Sequence, residues 1–220
     1  MSSLSPTPAR APIPAPVREG RLVAIGRRLA SDRTDAVAGA LADAGVRAFE
    51  ITLNEPEADA LLAIGIAARR HGDRMLVGAG TVRSIPAARR AIDAGATFLV
   101  APHTDEALIR WAAGRGIPIF PGGFTPTEVH RAWEAGATAV KLFPATVGGP
   151  GYLRELAGPF PEIPIIPTGG VSAENVAAFL AAGAVAVGLG GRLIGDGDPA
   201  GVRERAAAVI AAIAAAGPGA

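Results

Sequence analysis

Eight short apolar runs divide the chain: Leu22–Arg27, Ala48–Leu53, Met75–Gly80, Phe98–Pro102, Pro118–Gly122, Ala139–Ala145, Ile163–Gly169 and Ala184–Gly190. Runs this short and this apolar predict strands covered on both faces. The segments between them space Ala, Leu, Val and Ile at helical intervals. Their ends carry repeated punctuation. Asp43-Ala-Gly-Val46, Asp93-Ala-Gly-Ala96, Glu134-Ala-Gly-Ala137 and Ala181-Ala-Gly-Ala184 each place a glycine between a helical segment and the next apolar run, and Gly116 does so before Ile117. Glycine supplies the left-handed conformation that ends a helix. Strictly alternating strands and helices predict parallel βαβ units and an α/β fold. An open doubly wound sheet uses the same alternation with fewer strands. Eight units predict a closed (β/α)8 TIM barrel, a single domain over 21–220, with functional groups on the loops that follow the strands.

The two ends of the chain break this pattern. Pro6, Pro8, Pro12, Pro14 and Pro16 alternate with small residues, which predicts a flexible Pro/Ala-rich tail over 1–20 and no secretory signal. At the other end Val202, Val209, Ile210 and Ile213 share one face of a last helix. The apolar run Ala206–Ala216 falls short of the roughly 20 residues a bilayer span requires. The chain is therefore expected to be soluble and cytoplasmic, with no membrane partner. Its net charge of +1 offers no basic footprint for nucleic acid. Cysteine is absent, which excludes disulfides, thiolate metal sites and a cysteine nucleophile.

Charge becomes informative only when divided by residue type. Of the 21 lysines and arginines, one alone is lysine: Lys141, inside the apolar run Ala139–Ala145. Strand alternation puts Ala139, Lys141 and Phe143 on one face, and Val140 and Leu142 on the other. Desolvation disfavours an ammonium, and the neutral amine is the form that attacks a carbonyl to give a Schiff base. Arginine cannot take that role, because it stays protonated. In the run Ala48–Leu53 the same alternation puts Glu50 and Thr52, followed by Asn54, on one face and Phe49, Ile51 and Leu53 on the other. Glu50 lies well before the loop, which predicts an inward-facing carboxylate. Glycine clusters follow the last two strands, Thr168-Gly-Gly170 and Gly188-Leu-Gly-Gly191, where barrels frequently hold phosphate on backbone N–H groups. Arg27 ends the first strand and is a candidate for the mouth. Trp111 and Trp133 fall in helical segments and read as packing residues. His71, His103 and His130 are too scattered for a metal cluster, and neither a Walker loop nor a dinucleotide fingerprint is present.

Seven stretches carry a resemblance: Phe49-Glu-Ile-Thr-Leu53, Val77-Gly-Ala-Gly-Thr-Val82, Val100-Ala-Pro102, Pro121-Gly-Gly-Phe-Thr-Pro126, Val140-Lys-Leu-Phe-Pro144, Gly158-Pro-Phe-Pro161 and Pro167-Thr-Gly-Gly-Val171. In this order and on these strand ends, the chain resembles the 2-keto-3-deoxy-6-phosphogluconate aldolase family, which also handles 4-hydroxy-2-oxoglutarate. The resemblance implies a class I aldolase on a homotrimeric barrel, with no metal and no cofactor, acting on a small 2-keto acid, phosphorylated or dicarboxylic. It places the Schiff-base lysine on Lys141 and the general acid/base on Glu50. Substrate contacts fall on Thr81, Pro102, Phe143 and Thr168, and phosphate-binding glycines on Gly169, Gly170 and Gly190. Two positions depart from the family. Asn54 stands where some members have arginine, which leaves Arg27 to meet the substrate carboxylate. Gly191 stands where serine is frequent, so that position would offer phosphate only its backbone. The implied reaction splits 2-keto-3-deoxy-6-phosphogluconate into pyruvate and glyceraldehyde 3-phosphate, with 4-hydroxy-2-oxoglutarate giving pyruvate and glyoxylate as a second reaction. The 6-phosphogalactonate epimer is the alternative, because its aldolases share a Leu-Asn pair like Leu53-Asn54. Two other classes compete. A non-aldolase phosphate-binding barrel would use the glycine loops and leave Lys141 unmodified. A non-catalytic oligomeric barrel would show decay at Asn54 and Gly191, and the intact Lys141, Glu50, Thr81 and Thr168 argue against it.

Overall fold

The glycine punctuation turns the helix ends as its chemistry requires. Gly45, Gly95, Gly116, Gly136 and Gly183 have φ between +66° and +113°. The residue after each donates its N–H to the carbonyl five positions back (Val46 to Leu41, Ala96 to Ala91, Ile117 to Ala112, Ala137 to Ala132, Ala184 to Phe179) at 3.0–3.1 Å. Each such bond satisfies an orphan helix carbonyl and directs the chain back into the sheet.

The structure, a computed structural model, describes residues 10–54 and 56–217. Its strands are β1 (Leu22–Gly26), β2 (Ala48–Thr52), β3 (Leu76–Gly80), β4 (Leu99–Val100), β5 (Ile119–Phe120), β6 (Gly122–Gly123), β7 (Val140–Leu142), β8 (Ile165–Pro167) and β9 (Val187–Leu189). The helices are α1 (Ala15–Gly20), α2 (Ser31–Asp43), α3 (Glu57–His71), α4 (Ile85–Asp93), α5 (Glu106–Ala113), α6 (Pro126–Glu134), α7 (Gly149–Ala157), α8 (Val176–Ala181), α9 (Gly191–Ile194) and α10 (Pro199–Ala215). Every apolar run contains a strand, and all pairings are parallel.

The sheet curls, but its ladder is not the unbroken ring of eight that alternation predicts. It comes as six strands in the order β5-β4-β3-β2-β1-β9 and three in the order β6-β7-β8. The fifth apolar run splits at Pro121, which has no N–H to donate to a ladder. Its carbonyl still accepts from the Lys141 N–H at 2.9 Å. At the other seam a single bridge joins Thr168 to Gly188.

Alternation sorts the strand side chains into two cores. Phe49, Ile51, Val140 and Leu142 pack with residues of α2, α3, α5 and α10 on the helix-covered face. Val23, Ala48, Phe98, Val100, Phe120, Ala139, Ile166 and Ala186 form a separate cluster on the opposite, concave face. Lys141 follows the parity of Ala139, and Glu50 that of Ala48, so both side chains belong to the concave face.

The expectation of a flexible tail over 1–20 is corrected in its second half; its first nine residues lie outside the described residues. Val17, on α1, is fully buried in the concave cluster, with Ile13 packed against it. Its neighbours there, Ala48, Phe98, Ala139 and Ala186, all stand at strand beginnings, so α1 covers the end of the sheet opposite the loops. Arg10 donates to the carbonyls of Ala137 at 2.7 Å and Trp133 at 2.8 Å. Its guanidinium lies 3.2 Å from the Trp133 ring centroid, a contact worth about 0.5–2 kcal/mol. A segment that composition marks as extended is thus held by three apolar side chains (Ala11, Ile13 and Val17) and one arginine. Among the described residues no helix is long and apolar enough to cross a membrane.

Candidate active site

Glu50 and Lys141 are 2% and 5% exposed and line one interior space with Val23, Val100, Phe120, Ile166, Thr168 and Gly188. Both sit on rigid strands whose outer residues are fixed in the helix-covered core, which fixes their orientation. No ion pair joins them among the described residues. Burial pushes the Glu50 carboxyl above its usual range, against the opposing pull of the nearby Lys141 and Arg27 charges. Among the described residues its Oε1 has no hydrogen-bond partner. A buried oxygen left unpaired is costly, and such costs concentrate where a group must act on something else. Lys141 Nζ lies 5.1 Å from the centroid of the Phe143 ring.

Two glycines make room for these side chains. A Cβ on Gly80 of β3 would collide with the Glu50 carboxylate, and one on Gly188 of β9 would collide with the Thr168 hydroxyl. The residue after Gly80 is Thr81, whose φ of +58° puts a β-branched side chain in the left-handed region. Such backbone costs of order 1–3 kcal/mol and marks ligand clamps and active sites. Thr52, the inward residue after Glu50, donates its hydroxyl to Asn54 Oδ1 at 2.5 Å. That bond ties Asn54 to the strand end.

Above the interior space a cavity of about 170 Å³ opens among the loops. Arg27, Phe143, Thr168, Gly169, Gly170, Gly190 and Gly191 all line it, so Thr168 is common to both spaces. Gly169 and Gly170 have φ of +92° and +78°. The side chain of Asn175 pins their turn, accepting from the Ser172 N–H at 2.8 Å and donating to the Gly170 carbonyl at 3.0 Å. The N–H groups of Gly169, Gly170, Gly190 and Gly191 find no backbone acceptor among the described residues. Free N–H groups around one cavity suit an anion.

Two expected residues stand apart from both spaces. Thr81 and Pro102 follow β3 and β4 and are half-buried, but line neither. Pro102 instead sets its carbonyl where a Cβ on Gly122 would collide with it. Conversely, Arg192 lines the upper cavity and was not singled out from sequence, although it directly follows the glycine pair at the end of β9. Trp111 and Trp133 pack against the helix-covered core, as their helical positions predict. Among the described residues no group of three His, Asp or Glu side chains could hold a metal ion.

Known proteins share this arrangement of strands. The family model described as KDPG and KHG aldolase matches residues 13–205. A Rhizobium meliloti protein named "Probable 2-dehydro-3-deoxy-6-phosphogalactonate aldolase" is 41% identical over 91% of this chain and 94% of its own. A Pseudomonas aeruginosa 2-dehydro-3-deoxy-phosphogluconate aldolase is 42% identical over 66% of this chain and 65% of its own. A solved structure titled "Native KDPGal structure" superposes with a TM-score of 0.84 at 36% identity, covering 89% of this chain and 95% of that one. The chain belongs to the KDPG and KHG aldolase family and is an aldolase, a carbon–carbon lyase.

Proposed function

We propose that this aldolase cleaves a 2-keto-3-deoxy-6-phospho sugar acid to pyruvate and glyceraldehyde 3-phosphate through an imine on Lys141. The observation that carries this reading is a buried lysine and a buried carboxylate, its Oε1 without a partner among the described residues, on one floor beneath an anion-suited cavity. Neutral Nζ attacks the C2 ketone, and the carbinolamine loses its oxygen as water to give a protonated imine. Glu50 takes the proton from the C4 hydroxyl as the C3–C4 bond breaks. The bond's electron pair flows into the iminium, glyceraldehyde 3-phosphate leaves, and an enamine remains. The enamine is protonated at C3, and water releases pyruvate and regenerates the amine. Glu50 serves both proton steps, help worth about 10²–10⁴-fold in rate. Arg27 holds the carboxylate of the substrate, and Phe143 and Thr168, which line the cavity above Lys141, contact its pyruvate portion.

The galactonate epimer takes first place over the gluconate epimer. At nearly equal identity, the relative named for 6-phosphogalactonate aligns along 91% of this chain and the one named for phosphogluconate along 66%. Leu53-Asn54 agrees with that order. We further read the two sheets as one closed (β/α)8 barrel, since the Thr168–Gly188 bridge and the bond from the Thr138 N–H to the Ile119 carbonyl span its two seams. Assembly as a homotrimer and a cytoplasmic location belong to the same reading.

The test is reduction with borohydride in the presence of pyruvate. A pyruvate-derived mass on the peptide containing Lys141 is expected; an active protein without that adduct overturns the mechanism. Turnover of both 6-phospho epimers and 4-hydroxy-2-oxoglutarate, measured side by side, is expected to rank 6-phosphogalactonate first. Gly80→Ala should displace the Glu50 carboxylate, reducing kcat by about 10²-fold and stability by about 1–3 kcal/mol. Unchanged kcat in a folded variant would show that Glu50 does not need its present position.

A further inference from the structure

Arg27 and Arg192 are the two charged side chains lining the 170 Å³ cavity, and no acidic side chain lines it among the described residues. Neither guanidinium is ion-paired with a described carboxylate. The two cations sit at different places along it. Arg27 directly follows β1, whose Ile25 pairs with Glu50 of β2. Arg192 stands on α9 and also lines an adjoining pocket of about 290 Å³ with Glu174. Arg27 therefore marks the end of the cavity nearer Glu50, and Arg192 the end that adjoins the second pocket.

The segment that carries Arg192 is held from behind. Arg205 of α10 donates from Nε to the Leu193 carbonyl at 2.8 Å and from Nη2 to the Ile194 carbonyl at 2.9 Å. Arg33 donates to the carbonyl of Asp196 at 2.5 Å. Arginines of two helices thus fix the backbone on the C-terminal side of Arg192, while its own guanidinium has no ion-pair partner among the described residues.

We propose that Arg192 is the specificity-determining residue for a phosphorylated substrate: it receives the terminal phosphate and supplies the charge that the glycine N–H groups lack. The assignment rests on the aldolase reading above, in which the substrate is anionic at both ends. The carboxylate beside the attacked ketone falls to Arg27, and the phosphate four carbons beyond that ketone falls to Arg192. The uncharged backbone donors of Gly169, Gly170, Gly190 and Gly191 orient the phosphate. A guanidinium adds a charge-assisted, bidentate contact that strongly prefers phosphate to a hydroxyl. With no side chain at Gly191, space next to the arginine stays open: a Cβ there would meet nothing within 4 Å among the described residues.

The experiment compares wild type with Arg192→Gln and Arg192→Lys on two substrates of the same carbon chain, one phosphorylated and one with a free terminal hydroxyl. For Arg192→Gln, KM for the phosphorylated substrate is expected to rise about 10–100-fold with kcat nearly unchanged, the scale of a lost hydrogen bond to a charged group. Turnover of the unphosphorylated substrate should stay as in wild type, and inhibition by inorganic phosphate should weaken to a similar degree. Arg192→Lys should recover part of the loss, having the charge without the fork. Unchanged KM and unchanged phosphate inhibition in Arg192→Gln would overturn the proposal, as would equal losses on both substrates. Borohydride trapping of pyruvate on Lys141 needs no phosphate and separates the two levels. Trapping in wild type alongside an unaffected Arg192→Gln sinks only the role of Arg192, whereas absence of trapping sinks the imine mechanism itself.

Discussion

Lys141→Arg is expected to place a permanent positive charge at the floor of the site and to lose at least about 10⁴-fold in kcat, the scale seen when a covalent nucleophile is removed. Guanidinium stays protonated at every pH the fold tolerates, so it cannot add to a ketone. Arginine is also bulkier at a position only 5% exposed, so the control is Lys141→Met, which keeps an unbranched side chain of nearly the same length and removes the amine. Both variants should fail to take up pyruvate under borohydride, and Lys141→Met should keep its circular dichroism and melt cooperatively. Residual cleavage within about tenfold of wild type in either folded variant would assign the chemistry to another group. The lone lysine makes this test unusually clean, because the chain has no second side-chain ammonium to react in its place.

Much of this site could be read from the chain because strands impose parity. Once Val140 and Leu142 are recognised as facing the helices, Lys141 has one direction left, and the same argument turns Glu50 inward from Phe49 and Ile51. Helix ends were equally readable, since each Ala-Gly punctuation needs a left-handed residue that glycine supplies without strain. Loops impose no parity. Arg192 follows a glycine pair, and nothing in its spacing says whether it faces solvent or the cavity; only the path of α9 decides. The left-handed Thr81 has no signature either, because its preference as a residue type is for extended backbone. The N-terminal segment misleads for a different reason. Its composition is dominated by Pro and Ala, yet Ile13 and Val17 stand four apart and are the apolar side chains that close the concave core. Composition averages over a window, whereas burial is decided by single residues. The split at Pro121 shows the reverse case: one residue without an N–H divides a ladder that its apolar neighbours would have continued.

Glu50→Gln is expected to pull function and stability in opposite directions. Glutamine keeps the shape of the side chain but exchanges one acceptor oxygen for an NH2 donor and cannot accept the C4 hydroxyl proton, so kcat/KM should fall about 10²–10⁴-fold. In wild type the acid limb of kcat/KM should lie above the ordinary glutamate range, because burial holds the carboxyl there and only its ionised form is the base. That limb should disappear in the variant. The stability effect follows from the same shift. Because the folded carboxyl titrates higher than the unfolded one, the folded state binds more protons between the two values, and stability falls as pH rises through that window. The full contribution is present below the unfolded value and is lost above the folded one. At neutral pH wild type therefore carries a buried carboxylate whose desolvation outweighs its attraction to Lys141 and Arg27. Glu50→Gln removes that cost, so its melting temperature should exceed that of wild type at neutral pH and show a flatter dependence between acid and neutral conditions. Thermal melts of both proteins across that range decide the matter. A variant that is less stable than wild type at neutral pH would mean that the carboxylate is held by its cations as a net stabilising pair. Its acid limb would then belong at or below the ordinary glutamate range, in conflict with a base poised by burial.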